Sequence, residues 1–206
     1  YETDEMQEAD ETRIAEANAI LQSSNLLSAS GEDLAADLDE LNAAYPDQLG
    51  FVLINEQTGE AITTNESRTF TSASLYKLFL TYAILDQVDA GVLSLQDQMA
   101  DGATIDDYLT STITVSANEP AKELAHLIGW ENIETFIHEQ GFVSTSFNPY
   151  LEYDGIYYNG DLETTPAEVA FLLERLLEGE LLSEASTKYF LGLLGNQQLV
   201  YALNTG

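Results

Sequence analysis

Cysteine is absent from the 206 residues, which removes disulfides, thiolate nucleophiles, iron–sulfur clusters and cysteine-bound zinc together. Basic residues are scarce: six Lys and Arg stand against 36 Asp and Glu, a formal net charge of −30. Neutralising phosphates takes basic side chains, so nucleic acid and anionic membrane surfaces are excluded as natural partners of so acidic a chain. The charge reads as a solvated acidic surface of the kind found on extracellular proteins. No metal or cofactor is expected, because the acidic stretch 154–163 (DGIYYNGDLE) lacks the ligand spacing of a calcium-binding loop. No apolar run is long enough to span a membrane, and the N-terminus is acidic where a secretory leader would be basic.

What is present is enough for one sizeable core: 45% of the residues are hydrophobic, with 13 Gly and four Pro, a globular composition. Residues 1–30 are polar and acidic with sparse large apolar side chains, and read as an exposed helical segment or stalk. Residues 31–206 form the domain proper. Ser30, three residues before Asp33, opens a helix over 32–44 that stops before Tyr45-Pro46. The run GFVLINEQTGEAITT then gives two short strands around Glu56-Gln57-Thr58-Gly59, a hairpin.

Residues 75–88 (LYKLFLTYAILDQV) predict a helix apolar on most sides, ending near Gly91. Further helices are predicted over 105–112, 119–128, 131–139, 166–178 and 183–194, with Thr165 and Pro166 as N-cap and first residue of the fourth of these. Helix, hairpin and a long helical region make an α+β arrangement. An isolated two-stranded hairpin is marginal in water, so the helices must cover it or more strands must join it.

Ser74-Leu75-Tyr76-Lys77 places a hydroxyl and an amine three residues apart, on one helix face. That pair can supply a nucleophile and its base, and a Ser amide at a helix start is a natural oxyanion donor. A helix-capping serine with a surface lysine is the plainer reading. The apolar Leu75, Leu78, Phe79 and Leu80 around Lys77 count against it. Ser116-Ala117-Asn118, just before a helix, offers a second hydroxyl and a carboxamide, suited to relaying a proton and holding a substrate amide, or simply to capping. His126 and His138 lie on separate predicted helices without metal-like partners and read as packing residues. Trp130 and the tyrosines 150, 153, 157 and 158 read likewise, although the tyrosines could line a substrate rim.

Taken in order, FTSASLYK (70–77), ITVSAN (113–118), TTPAEVA (164–170) and LEGELLS (177–183) resemble class A β-lactamases and the related D,D-peptidases, from about residue 31 onward. The resemblance implies a β-lactamase/D,D-peptidase-like fold, an α/β sandwich with an all-α subdomain, of which this chain holds only the N-terminal hairpin of the sheet. It implies a secreted or cell-surface serine hydrolase on the extracellular face of a bacterium, acylated by β-lactams or D-Ala-D-Ala-like peptides. Ser74 would be the acylated nucleophile, Lys77 its proton acceptor, Ser116 a proton shuttle, and Asn118 a partner of both lysine and substrate. The alternative is a non-catalytic peptide- or cell-wall-binding domain on the same fold, or an inactive fragment.

Three departures bear on the activity. Ala117 replaces the family's usual acid, a form known in D,D-peptidases. The stretch 147–163 is shorter than the family's omega loop and lacks its Glu-Xaa-Xaa-Leu-Asn motif, leaving Glu152 and Glu163 as candidate deacylation bases. Asn204-Thr205-Gly206 is placed before the strand that carries the family's Lys-Thr-Gly, a motif that supplies a cation for the substrate carboxylate. Losing one oxyanion donor typically lowers rate by about a hundred- to a thousand-fold. The isolated 206-residue chain is therefore expected to be inactive or nearly so unless a complementary C-terminal piece or self-association completes it. Measurable acylation of that isolated chain by a fluorescent penicillin would refute the expectation.

Overall fold

The structure is a computed structural model and describes residues 31–55, 58–147, 151–153, 156–158 and 162–198; for 31–33, 151–153 and 156–158 it describes the backbone alone. The expected segment 1–30, the proposed start at Ser30, the hairpin residues Glu56 and Gln57, Tyr150 and the end 204–206 lie outside the described residues. The side chains of Glu152, Tyr153, Tyr157 and Tyr158 do so as well.

Helix α1 (Gly31–Ala44) precedes the hairpin β1 (Phe51–Ile54) and β2 (Ala61–Thr64), antiparallel with Phe51 opposite Thr64 and Ile54 opposite Ala61. Strand β3 (Phe70–Thr71) leads through a 3-10 turn (Ala73–Leu75) into α2 (Tyr76–Asp89). Helices α3 (Ile105–Thr114), α4 (Asn118–Ile128) and α5 (Trp130–Glu139) follow. Strands β4 (Leu151–Tyr153), β5 (Ile156–Tyr158) and β6 (Glu163–Thr164) precede α6 (Pro166–Leu177) and α7 (Glu184–Gly195).

The organising element is α2. Nine of its residues are buried, from Tyr76 and Lys77 through the run Phe79 to Leu85, because an all-round apolar helix is stable only when enclosed. It packs on α3, α4, α5 and α7. Phe79, Leu80, Ile84 and Leu85 meet Leu109, Leu124, Ile133, Phe142 and Phe190 in one core. Local signals set the element ends. Thr104 and Asp107 exchange side-chain caps at the start of α3. Thr165 accepts from the Glu168 amide with Pro166 following, as expected.

The α+β class holds with β1 and β2 as a partial sheet of one hairpin, and two further two-stranded pairings stand apart from it among the described residues. β3 pairs antiparallel with β6, Phe70 opposite Thr164 and Thr71 opposite Glu163. β4 pairs with β5 inside the stretch expected as a plain loop. The β4–β5 pairing has a signature that the sequence reading passed over, Asp154-Gly155 between LEY and IYY; β3 and β6 are two residues each, and their partnership is set by the helices between them. The hairpin is covered in part by α6, which packs on β1 across an apolar cavity lined by Leu49, Phe51, Phe70, Leu75, Val169 and Leu173. No helix among the described residues is long and apolar enough to cross a membrane.

Gly50 marks where the hairpin, β3 and α6 converge. A Cβ there would lie 2.5 Å from the Phe70 ring and 2.8 Å from the Pro166 ring, so only glycine fits the approach. Gly192, inside α7, meets nothing within 4 Å. Chemical denaturation should therefore show Gly50→Ala destabilising by about 1–3 kcal/mol through overpacking. Gly192→Ala should stabilise by about 0.5–1 kcal/mol through helix propensity.

Candidate active site

Ser74 is exposed and Lys77 is buried, 2% accessible, one helical turn away. The strand-to-helix passage that carries Ser74 is tight. Ala73 adopts a left-handed backbone, φ +43°, a conformation that costs a non-glycine residue about 1–3 kcal/mol unless its surroundings enforce it. They do: the Leu75 amide donates to the Ser72 carbonyl at 2.8 Å, and the buried Ser72 donates its own amide to the Leu162 carbonyl at 2.6 Å.

The second chain segment arrives from the end of α3. Ser116 is also left-handed, φ +55°, and presents two groups to the same lysine. Lys77 Nζ donates to the Ser116 carbonyl at 2.5 Å, to Ser116 Oγ at 3.1 Å, to Asn118 Oδ1 at 2.8 Å and to Ser74 Oγ at 3.3 Å. Ser116 Oγ donates to Ser74 Oγ at 2.9 Å. The four residues singled out in the sequence thus meet in one hydrogen-bonded cluster, in which Ser74 and Ser116 lie 42 residues apart in the chain. Ala117 is the N-cap residue of α4, and Asn118 its first residue.

Burial pushes the Lys77 amine below its ordinary value of 10.5, because desolvation penalises the ammonium. Tyr76 moves the other way, up to about 12, through its own burial and the negative charge of Glu119. Its phenol therefore stays protonated at neutral pH. Tyr76 packs edge-on against Phe147 and tilted against Trp130, which confirms Trp130 as a packing residue.

The carboxylates near the 147–162 stretch are largely engaged. Glu134 accepts from the Phe147 amide at 2.9 Å and from Ser146 Oγ at 3.3 Å. Glu168 accepts from the Ser144 amide at 2.7 Å and from Thr145 Oγ1 at 2.6 Å. Glu163 is half-buried, its backbone exchanging hydrogen bonds with Ser146 and standing opposite Thr71 in the β3–β6 ladder. Sequence reading did not find Glu134 or Glu168, since nothing local announces a carboxylate that caps a distant turn. His138 contacts the Thr145 carbonyl through Nε2 at 2.8 Å, and His126 stands edge-on to Trp130. No group of three or more His, Asp or Glu among the described residues could hold a metal ion.

The sequence matches the beta-lactamase enzyme family over residues 33–206. Among solved structures, an ancestral class A beta-lactamase is 26% identical with a TM-score of 0.69, covering 80% of this chain and 72% of that one. A beta-lactamase from Xanthomonas campestris is also 26% identical, with a TM-score of 0.69 over 81% of this chain and 70% of its own. One from Sphaerobacter thermophilus is 25% identical, with a TM-score of 0.67 over 80% and 69%. Fold and sequence together define a serine β-lactamase-like hydrolase. The chain belongs to the beta-lactamase enzyme family.

The Lys77 amine should titrate below 10.5. A pH series following the Lys77 13Cε resonance checks it, with the midpoint expected below those of the other lysines; a midpoint at or above theirs would show that burial does not dominate.

Proposed function

We propose that Ser74 is a nucleophile that opens β-lactams or D-Ala-D-Ala-like peptide amides and becomes acylated. The observation that carries this reading is the buried Lys77, hydrogen-bonded at once to Ser74, Ser116 and Asn118. Neutral Lys77 takes the Ser74 proton, directly or through Ser116 Oγ once that hydroxyl has rotated. Ser74 Oγ attacks the amide carbon, and the Ser74 backbone N–H faces the developing oxyanion as one of its donors. On collapse the C–N bond breaks, and the leaving nitrogen takes a proton from Ser116 Oγ, which recovers one from Lys77. With Asn118 Oδ1 committed to Lys77, Asn118 Nδ2 is the group available to a substrate carbonyl.

The second half-reaction needs a base for water. Glu134 and Glu168 are spent on backbone caps, so Glu163 remains the described candidate, with Glu152 the other. With Ala117 in place of an acid, the reading favours a slowly hydrolysed acyl-enzyme of the D,D-peptidase kind over a fast lactamase. The acidic surface supports a place outside the cell, secreted or at the surface.

Fluorescent penicillin applied to the full-length gene product should leave covalent label that survives denaturation and is absent from Ser74→Ala. Lys77→Met should label about a hundred- to ten-thousand-fold more slowly, the usual range for a lost general base. Glu163→Gln should prolong the label if Glu163 activates water. Absence of label under every condition would overturn the enzymatic reading in favour of a binding domain on the same fold.

A further inference from the structure

Helix α3 ends one residue before Val115, and Ser116 sits two residues beyond its last turn. The last carbonyls of any helix lack intrahelical partners. Here the Val115 and Ala117 amides both fall back on the Ser111 carbonyl, at 3.4 and 3.1 Å. The Ile113 and Thr114 carbonyls belong to residues only 5% and 4% accessible, and so depend on protein donors. Both donors come from the two residues that follow Asn196, the C-cap of α7. Gln197 Nε2 donates to the Ile113 carbonyl at 2.8 Å, across 84 residues of sequence, and the Gln198 amide donates to the Thr114 carbonyl at 2.7 Å.

We propose that Gln197 is a positioning residue for the reaction at Ser74: with the Gln198 amide it forms a strap over the end of α3 that holds Ser116 in its left-handed turn. The inference rests on the reading of Ser74 and Ser116 given above. Its physical basis is a competition for carbonyls. Without the strap, the Ile113 and Thr114 carbonyls have as natural partners the amides of Ala117 and Asn118, those of a continued right-handed helix. That continuation takes Ser116 out of its left-handed conformation, and its carbonyl and hydroxyl then leave Lys77. With the strap in place those carbonyls are already satisfied, and the left-handed turn is the conformation left to Ser116.

The same two helices are also tied at the other end of α3, where Tyr189 Oη donates to Asp106 Oδ1 at 2.6 Å. This second tie separates a positioning role from mere attachment of α7 to α3. Gln197 is exposed, so its variants should fold. In the full-length protein, Gln197→Met, which keeps the length and loses the donor, should lower the acylation rate constant about tenfold with little change in the concentration of penicillin giving half-maximal rate. Gln197→Lys, which restores a donor, should recover most of the rate. Tyr189→Phe should leave the rate within twofold of wild type.

A readout that needs no acylation runs beside this one. Loss of the Ser116 carbonyl from the ammonium should move the Lys77 13Cε titration midpoint downward in Gln197→Met and leave it in place in Tyr189→Phe. Unchanged acylation and an unchanged Lys77 midpoint in Gln197→Met would overturn the strap, as would equal effects of the two variants. If wild type takes no label while the Lys77 midpoint still moves in Gln197→Met alone, the strap stands and the hydrolase reading falls.

Discussion

A lysine amine enclosed by uncharged acceptors is the constraint on which the rest of this structure depends. The chain carries 36 carboxylates and six cations, so most cations are expected to sit against an acid, and several do. Arg68 is bound to Asp47, Lys122 to Glu119 and Arg175 to Glu180. Lys77 differs: its hydrogen-bond partners are two hydroxyls, one backbone carbonyl and one carboxamide. A carboxylate in contact would favour the ammonium by charge and hold its proton. Neutral dipoles do so less strongly, and burial pushes the amine below its ordinary value. The acidic surface is thus compatible with a basic amine only because the apolar bodies of α2 and its neighbours keep both water and carboxylates away from it.

Enclosing the amine has a backbone consequence. Three polar groups must converge on Nζ from a segment that is not part of α2, and a regular helix end cannot present its carbonyl and its hydroxyl to the same point. Ser116 does so by turning left-handed, and Ala73 does the same one residue before Ser74. Neither is glycine, so each position is held against its intrinsic preference by hydrogen bonds from elsewhere: the Leu162 carbonyl beneath Ser72, and the residues after α7 beneath Ser116. Strain at two places, each fixed by a remote segment, makes the geometry of the cluster a property of the whole domain.

That dependence explains what could be read from the sequence. Helix α2 was legible because its apolar run is continuous, and Lys77 with Ser74 because a three-residue spacing on a helix is a distance. The start of α6 was legible from Thr165-Pro166, where local chemistry decides. Ser116 and Asn118 were legible as a hydroxyl and a carboxamide before a helix, but only family resemblance joined them to Ser74, since no period or spacing links residues 42 apart. The β3–β6 ladder, the left-handed turns and the glycine at 50 were not legible at all. Each is imposed by packing between segments whose meeting no local pattern encodes, as where Gly50, Phe70 and Pro166 converge.

The same ladder that shapes the Ser74 turn also closes the neck of the 147–162 stretch. Ser146 and Glu163 exchange backbone hydrogen bonds at 2.9 and 3.1 Å, Thr145 and Thr164 join hydroxyls at 2.8 Å, and Glu163 stands opposite Thr71. Glu134 and Glu168 fasten the outer side of that neck, which commits their carboxylates to amides and hydroxyls. The bonds that close this neck thus engage the carboxylates of both Glu134 and Glu168. On the proposed reading, forming an acyl-enzyme would draw on Lys77 and Ser116, and hydrolysing it would call on an acid other than Glu134 and Glu168.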